Sequence, residues 1–146
     1  MTFSIVARSV DGTHLGVAVA SKFVAVGAVV PAAAAGVGAL ATQAWANLAY
    51  RPNGLALLRA GQGAEATLAA LVAADDGRAE RQAGVVDAAG HSATYTGEGC
   101  TPWAGGRTGS GYAIQGNILT GPEVVEVMEA AWLATDDLIH QMAFTI

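Results

Sequence analysis

The residues best suited to chemistry lie at the ends of the first two predicted strands. Thr2 carries a hydroxyl, and removal of Met1 would give the same residue a free α-amine. A hydroxyl beside an amine is a nucleophile with its own base. That amine titrates near ~7.7–8.0, so much of it is neutral at neutral pH. Ser21 and Lys22 end the partner strand, and Lys22 is placed to stabilise developing charge. We therefore predict Thr2, Ser21 and Lys22 as catalytic residues.

Other polar side chains flank apolar runs, and in a layered fold several segment ends meet at one rim. Asn47, or backbone N–H groups, would form an oxyanion hole and is the fourth catalytic candidate. The residues predicted to hold a polar substrate are Gln43, Arg81, Asp87, Gln115 and Asn117. The other interpretation is that these residues satisfy backbone groups at turns and strand ends. For Asn47 and Asn117, which adjoin turn sequences, this structural interpretation is supported at least as well as the functional one.

The sequence predicts no metal site and no cofactor. His14, His91 and His140 are far apart and lack the short spacings of zinc ligands. Cys100 has no histidine near it in sequence and is predicted to be structural. The glycine-rich stretch 105–111 lacks the lysine and the following helix start of a phosphate-binding loop, so we interpret it as a loop.

Composition limits the class of protein. The chain has 146 residues, which favours a single domain over 1–146, and 53% hydrophobic against 13% charged residues argues against disorder. A formal charge of −5 argues against a nucleic-acid partner. A single cysteine and the lack of a signal-peptide pattern favour a cytoplasmic location. Residues 23–50 carry no charge, but their Ala, Val, Gly and Pro content predicts buried strands rather than a membrane span.

The elements that must position these residues follow from periodicity and turn signals. The dipeptide Asp11-Gly12 between two β-rich runs predicts a hairpin. Strands are predicted at residues 2–8, 14–21, 24–30, 35–43, 81–88, 91–96 and 112–115. Helices are predicted at 55–59, 64–74 and 123–135, with loops at 43–54 and 97–111 and a turn at 116–117. Strands and helices occur in blocks, which predicts an α+β fold with antiparallel sheets and helices packed outside.

Several ordered segments of the chain resemble one family. They are Thr-Phe-Ser-Ile-Val-Ala-Arg at 2–8, Gly-Val-Ala-Val-Ala-Ser-Lys-Phe at 16–23, Val-Gly-Ala-Val-Val-Pro at 26–31, Ala-Thr-Gln-Ala at 41–44, Arg-Gln-Ala-Gly-Val-Val-Asp-Ala at 81–88 and Gln-Gly-Asn at 115–117. Over residues 2–132 the chain resembles the DUF1028 family, which is placed among N-terminal-nucleophile (Ntn) hydrolase-like proteins.

The resemblance implies an αββα four-layer sandwich of two antiparallel sheets flanked by helices. It also implies an N-terminal nucleophile, and only Thr2 can take that role here. Members of the family usually extend further, so we expect the chain to be C-terminally short, with residues 133–146 unmatched. An exposed sheet edge would then favour a homo-oligomer.

Two functions remain open from the sequence. The first is an amide hydrolase that cleaves a small amide or peptide-like substrate with Thr2. The alternative is a non-catalytic ligand-binding or oligomeric module on the same scaffold. Neither function involves a nucleic acid or a membrane.

Overall fold

The structure is a computed structural model, and it describes residues 1–134. The strands are β1 (Thr2–Arg8), β2 (Leu15–Ser21), β3 (Pro31–Ala34), β4 (Gly38–Ala44), β5 (Arg81–Asp87), β6 (Ser92–Thr96), β7 (Gly105–Gly109) and β8 (Tyr112–Asn117). The α-helices are α1 (Val26–Val29), α2 (Tyr50–Arg59), α3 (Ala64–Ala73) and α4 (Glu123–Leu133). Residue 135 of the last predicted helix, the stretch 136–146 and His140 lie outside the described residues.

The strands form two four-stranded antiparallel sheets. The first has the order β2-β1-β8-β7, and the second has the order β3-β4-β5-β6. In the first sheet Thr2 is paired with Ser21 on one side and with Asn117 on the other. This register confirms the predicted hairpin and the mixed α+β class with two antiparallel sheets.

Helices cover the outer faces of both sheets. Helix α4 packs on the first sheet, where Val125, Met128 and Trp132 contact Ile5 and Ile114. Helices α2 and α3 pack on the second sheet around a core of Leu40, Leu58, Leu68, Leu71 and Val85. None of the helices within residues 1–134 is long and apolar enough to cross a membrane.

The inner faces of the two sheets pack against each other, and their composition changes along the strands. At one end Val6, Val30, Val86 and Ala113 form a small apolar core. Toward the other end the buried residues are polar: Ser4, Gln43, Gln82, Gln115 and Asn117. The alternation of side chains along a strand places Thr2 and Ser4 on the same inner face as Val6. The polar half therefore leads directly to Thr2 at the open end of the sandwich.

The strand predicted at 24–30 is wrong. Part of it forms the short helix α1, and the third strand begins only at Pro31. The side chain of Arg51 donates hydrogen bonds to the carbonyls of Ala28 and Val29, at 2.7 and 3.0 Å. This contact satisfies carbonyls at the end of α1 from a distant segment, so the local sequence did not reveal it. Proline is tolerated as the first residue of an edge strand.

Two more predicted loops are partly regular structure. Helix α2 begins at Tyr50 rather than at 55, because Pro52 fits the first turn of a helix, where its missing N–H is not needed. Strand β7 lies within the predicted loop 97–111. A Cβ on Gly106 would come within 2.6 Å of the Ile114 carbonyl oxygen, so glycine permits the close pairing of β7 with β8. The turn predicted at 116–117 is also wrong, since both residues continue β8.

Candidate functional site

A cavity of about 840 Å³ opens at the end of the sandwich where the polar inner half begins. Its lining includes most of the residues predicted from the sequence: Thr2, Ser21, Lys22, Gln43, Arg81 and Asn117. They come from β1, β2, β4, β5 and β8, so both sheets contribute to the site. The convergence of polar groups from separate strands in one concave site is typical of a binding or active site.

Thr2 lies between its two strand partners at the cavity wall. Its Oγ1 is 2.8 Å from Ser21 Oγ, and Thr2 is the donor of this pair while the one Ser21 proton is donated to the Met1 carbonyl. Ser21 Oγ also accepts a hydrogen bond from the Phe23 backbone N–H at 3.1 Å and donates to the Met1 carbonyl at 3.3 Å. Because Thr2 is held in the ladder on both sides, its hydroxyl has a fixed position relative to the cavity.

The floor of the cavity is a chain of carboxamides. Gln43 Nε2 donates to Gln82 Oε1 at 2.8 Å, and Asn117 Nδ2 donates to the same oxygen at 2.9 Å. Ser4 Oγ donates to Gln43 Oε1 at 2.7 Å. A buried hydrogen-bond network of this kind rigidifies the groups at its edge. Gln43 and Asn117 are therefore presented to the cavity in fixed orientations.

Arg81 reaches the cavity but its charge is paired. Its Nε donates to Asp75 Oδ2 at 2.9 Å, and its Nη1 donates to the Trp45 carbonyl at 2.7 Å. The hydrogen bond from Arg81, followed by those from Asn47 and the Gly77 N–H, holds the pKa of Asp75 well below its usual range. The same contact raises the pKa of Arg81. Arg81 thus fixes the segment that carries Trp45.

Lys22 is the cationic side chain of the cavity that stays available. It is exposed, and no carboxylate within residues 1–134 lies at ion-pair distance from it. No Asp or Glu of this described part lines the cavity either. The unpaired ammonium of Lys22 therefore favours an anionic or electron-rich ligand group in the cavity.

The mouth of the cavity is apolar and unusually exposed. The large hydrophobic side chains that line it while remaining at least 46% exposed are Met1, Phe23, Trp45, Leu48 and Ile118. Trp45 is 71% exposed, and its backbone is held by the Arg81 side chain and by a hydrogen bond from its N–H to the Glu80 carbonyl at 3.2 Å. A contiguous apolar rim around a polar floor is the arrangement expected where an apolar ligand group enters.

The backbone around the mouth is strained. Ala25, Ala44 and Ile118 have φ angles of 58°, 64° and 56°, in the left-handed region. Such a φ is an outlier for a β-branched residue like Ile118, and strain of this kind clusters at ligand sites. Ala44 precedes Trp45 and Ile118 follows Asn117, so the strained positions turn the chain at the cavity itself.

Three predicted residues lie away from the lining of this cavity. Asn47 donates to Asp75 Oδ2 at 3.0 Å and accepts from the Ala49 N–H, so it closes the turn before α2. Gln115 is fully buried and donates to Ser4 Oγ at 2.6 Å. Asp87 ends β5, whereas Arg81 begins it, which places Asp87 roughly 20 Å from the cavity.

Asp87 serves the opposite end of the fold. It accepts from the Ala64 N–H at the start of α3 and from the His91 N–H. Burial acts to raise the pKa of Asp87, but these hydrogen bonds outweigh it and lower the pKa. Asn47, Asp87 and Gln115 are therefore not part of the candidate site.

Sequence reasoning missed the residues that hold the site from behind. Gln82 is fully buried and connects Gln43 to Asn117. Strand alternation could have indicated it, because Gln82 lies next to Arg81 and so points to the opposite face of β5. Trp45 and Phe23 were not predicted, because the uncharged run that contains them was interpreted as buried strands and a loop. Cys100 also lines the cavity, where burial raises its pKa and its Sγ contacts the Arg81 carbonyl oxygen at 3.4 Å. Within residues 1–134 no group of three potential metal ligands comes together.

Comparisons with known proteins agree on one family. A family model described as "Family of unknown function (DUF1028)" matches residues 2–144, so the expectation that residues 133–146 are unmatched was wrong for 133–144. The crystal structure of protein SPO2555 from Silicibacter pomeroyi, a DUF1028 protein, superposes with a TM-score of 0.94 at 28% sequence identity. The match covers 99% of this chain and 67% of that one. A search of curated proteins finds no match.

Proposed function

Because the chain belongs to the DUF1028 family, whose description assigns no function, we propose its function from the cavity: it is an amide hydrolase with Thr2 as nucleophile. The observation that carries the proposal is the position of Thr2. Its hydroxyl lies at the wall of a cavity with a polar floor, at the first position of a strand held on both sides. We further assign the α+β sandwich to the αββα four-layer type of the Ntn hydrolases.

The proposed reaction follows hydrolysis of the Met1–Thr2 peptide bond, in which water is consumed, methionine is released and Thr2 gains an α-amine. Thr2 Oγ1 attacks the substrate carbonyl carbon while its proton passes to that amine. The C–N bond then breaks, and the leaving amine takes the proton from the α-ammonium. Water hydrolyses the resulting ester on Thr2, which releases the acid and restores the hydroxyl.

The surroundings of Thr2 suit this chemistry. The Ser21 hydroxyl, 2.8 Å from Thr2 Oγ1, orients the nucleophile. The unpaired ammonium of Lys22 stabilises the oxyanion that forms on the carbonyl oxygen. Because no carboxylate of the described chain lines the cavity, that stabilisation is not cancelled. The apolar mouth around Phe23 and Trp45 binds the non-reacting part of a small amide substrate.

A second function is favoured by one observation. Met1 itself lines the cavity mouth, and its carbonyl accepts from Ser21. With Met1 in place, Thr2 has no amine, and the same cavity is a non-catalytic binding site for an apolar ligand. The two functions therefore differ in the state of one peptide bond.

Intact-mass analysis combined with a hydrolysis assay tests the proposal. We expect the active protein to lack Met1 and to cleave small aryl amides. Thr2→Ala should abolish cleavage, with a loss of at least about 10³-fold, whereas Thr2→Ser should keep a measurable rate. A covalent amide-mimic probe should label Thr2 alone, as mapped by mass spectrometry. Retention of Met1 in active protein, or labelling at another residue, would contradict the proposed hydrolase and favour the binding module.

A further inference from the structure

The carboxamide oxygen of Asn117, at the cavity wall, has no donor partner within residues 1–134. Asn117 is 97% buried, since its exposure is 3%, yet it lines the cavity. Its Nδ2 donates to Gln82 Oε1, but no group within residues 1–134 donates to its Oδ1. The fully enclosed side-chain atoms without a partner in residues 1–134 are Arg8 Nε, Tyr50 Oη and Thr67 Oγ1, so the Asn117 oxygen is open to the cavity. An acceptor that is open to the cavity and has no protein donor indicates the position of a ligand donor.

The orientation of this oxygen follows from groups that cannot be reversed. Gln82 Nε2 donates to the backbone carbonyls of Gly116 and Gly105, at 2.7 and 3.3 Å. A carbonyl oxygen only accepts, so the amide of Gln82 cannot be flipped. Its Oε1 must then face Asn117, and Asn117 must turn its NH₂ toward Gln82. The Asn117 oxygen is left on the other side of its carboxamide.

The neighbouring carboxamide does not offer the same group. Gln43 Oε1 already accepts the Ser4 hydroxyl at 2.7 Å, and Gln43 Nε2 donates to Gln82. Asn117 is also the direct strand partner of Thr2 on the same inner face. Side chains in such a pair have Cβ atoms about 5 Å apart. A ligand group held by Asn117 is thus adjacent to the Thr2 hydroxyl.

We propose that Asn117 is a specificity-determining residue that accepts a hydrogen bond from a ligand N–H, and that Gln82 is the positioning residue that aims it. The site then selects amides that carry an N–H, with an apolar group in the mouth, over esters of the same shape. This inference rests on the proposed function for the identity of the reacting bond, but the recognition itself needs no cleavage.

A matched pair of probes tests the proposal by binding. N-methyl-3-phenylpropanamide and methyl 3-phenylpropanoate have nearly the same shape and differ in an N–H replaced by oxygen. Binding is followed by ligand-observed NMR on the Thr2→Ala protein, which cannot turn either probe over. We expect the amide to bind about threefold to tenfold more tightly than the ester. Asn117→Leu should remove this preference while both probes still bind through the apolar mouth.

A second variant keeps the test independent of folding defects. Asn117→Ser retains a hydroxyl that can donate toward Gln82 but lacks the carboxamide oxygen, and it too should lose the preference. The Gln82→Met variant should weaken the preference through misorientation of Asn117. Equal binding of the two probes to the unaltered cavity, no binding of either, or a preference that survives in Asn117→Leu and Asn117→Ser would overturn the inference. A preference in a protein that never cleaves amides would instead refute the hydrolase and leave the recognition intact.

Discussion

At the scale of single residues, Gly84 provides the space that the Gln115 carboxamide occupies between the sheets. A Cβ on Gly84 would lie 2.1 Å from Gln115 Oε1. Gln115 also donates to Ser4, so it cannot move without loss of a buried hydrogen bond. We expect Gly84→Ala to lower the free energy of unfolding by about 2 kcal/mol in urea denaturation.

Gly27 is the matched control for that substitution. A Cβ on Gly27 would meet no atom within 4 Å, so Gly27→Ala should leave the free energy of unfolding within about 0.5 kcal/mol. Equal losses in the two variants would show that crowding by Gln115 is not the cause.

The buried Asp75 carboxylate gives a second prediction at this scale. Asp75→Asn removes the charge that pairs with Arg81, whose side chain is 20% exposed. Breaking a pair of this kind should lower the free energy of unfolding by about 3 kcal/mol. The exposed neighbour Asp76 serves as control, since Asp76→Asn should cost less than about 0.5 kcal/mol. A comparable loss at Asp76 would argue against the pair as the source.

The sequence predicted those site residues whose partners lie close to them along the chain. Thr2 and Ser21 face each other because a short hairpin fixes their register, so strand alternation alone brings them together. Because both flank apolar runs, Asn47 was predicted to be catalytic and Asp87 was predicted to bind substrate. Their partners, Asp75 and the start of α3, lie on segments whose proximity only the folded chain creates.

At the scale of elements, the residues with left-handed backbone around the mouth are predicted to tolerate substitution by glycine, which ordinary strand positions do not. Ala44 has a φ of 64°, a conformation that glycine adopts without strain. The relief of strain in Ala44→Gly offsets the larger conformational entropy of glycine in the unfolded chain. Ala44→Gly should therefore leave the free energy of unfolding within about 0.5 kcal/mol. Ala33, an exposed residue within β3, has no such strain, and Ala33→Gly should cost about 1 kcal/mol in urea denaturation. The reverse order would mean that Ala44 is not strained in solution.

The same contrast explains which elements the sequence predicted. Strands β1 and β5 and helices α3 and α4 have regular apolar periods, and their predicted bounds lie close to those observed. Helix α1 and strand β7 depend on contacts from elsewhere, through Arg51 in one case and the close approach of Thr94 and Ile114 to Gly106 in the other. Local propensity carries no information about such contacts.

At the scale of the whole molecule, two carboxylates fix helix α3 along β5. Asp87 accepts from the first residue of α3, and Asp75, just after the helix, pairs with Arg81 at the start of β5. The helix is therefore held at both ends against the strand that also carries Gln82. The outer face of β5 packs against the helices, and its inner face carries Gln82 of the polar network. The contacts of Asp75 and Asp87 therefore connect the helix layer to the cavity.

This arrangement predicts how stability depends on pH. Both Asp75 and Asp87 have pKa values below the ordinary 3.8 in the folded protein, so the folded state binds fewer protons than the unfolded state. Their contribution is complete above about pH 4 and is lost as the pH falls through the folded pKa values. Urea denaturation from pH 6 to pH 2 should show a steep fall in the free energy of unfolding below about pH 4. The double variant Asp75→Asn/Asp87→Asn, less stable at pH 6, should lose roughly 2 kcal/mol less over that range. An unchanged acid dependence in the double variant would mean that other carboxylates dominate, and that α3 is held to β5 mainly by its apolar face.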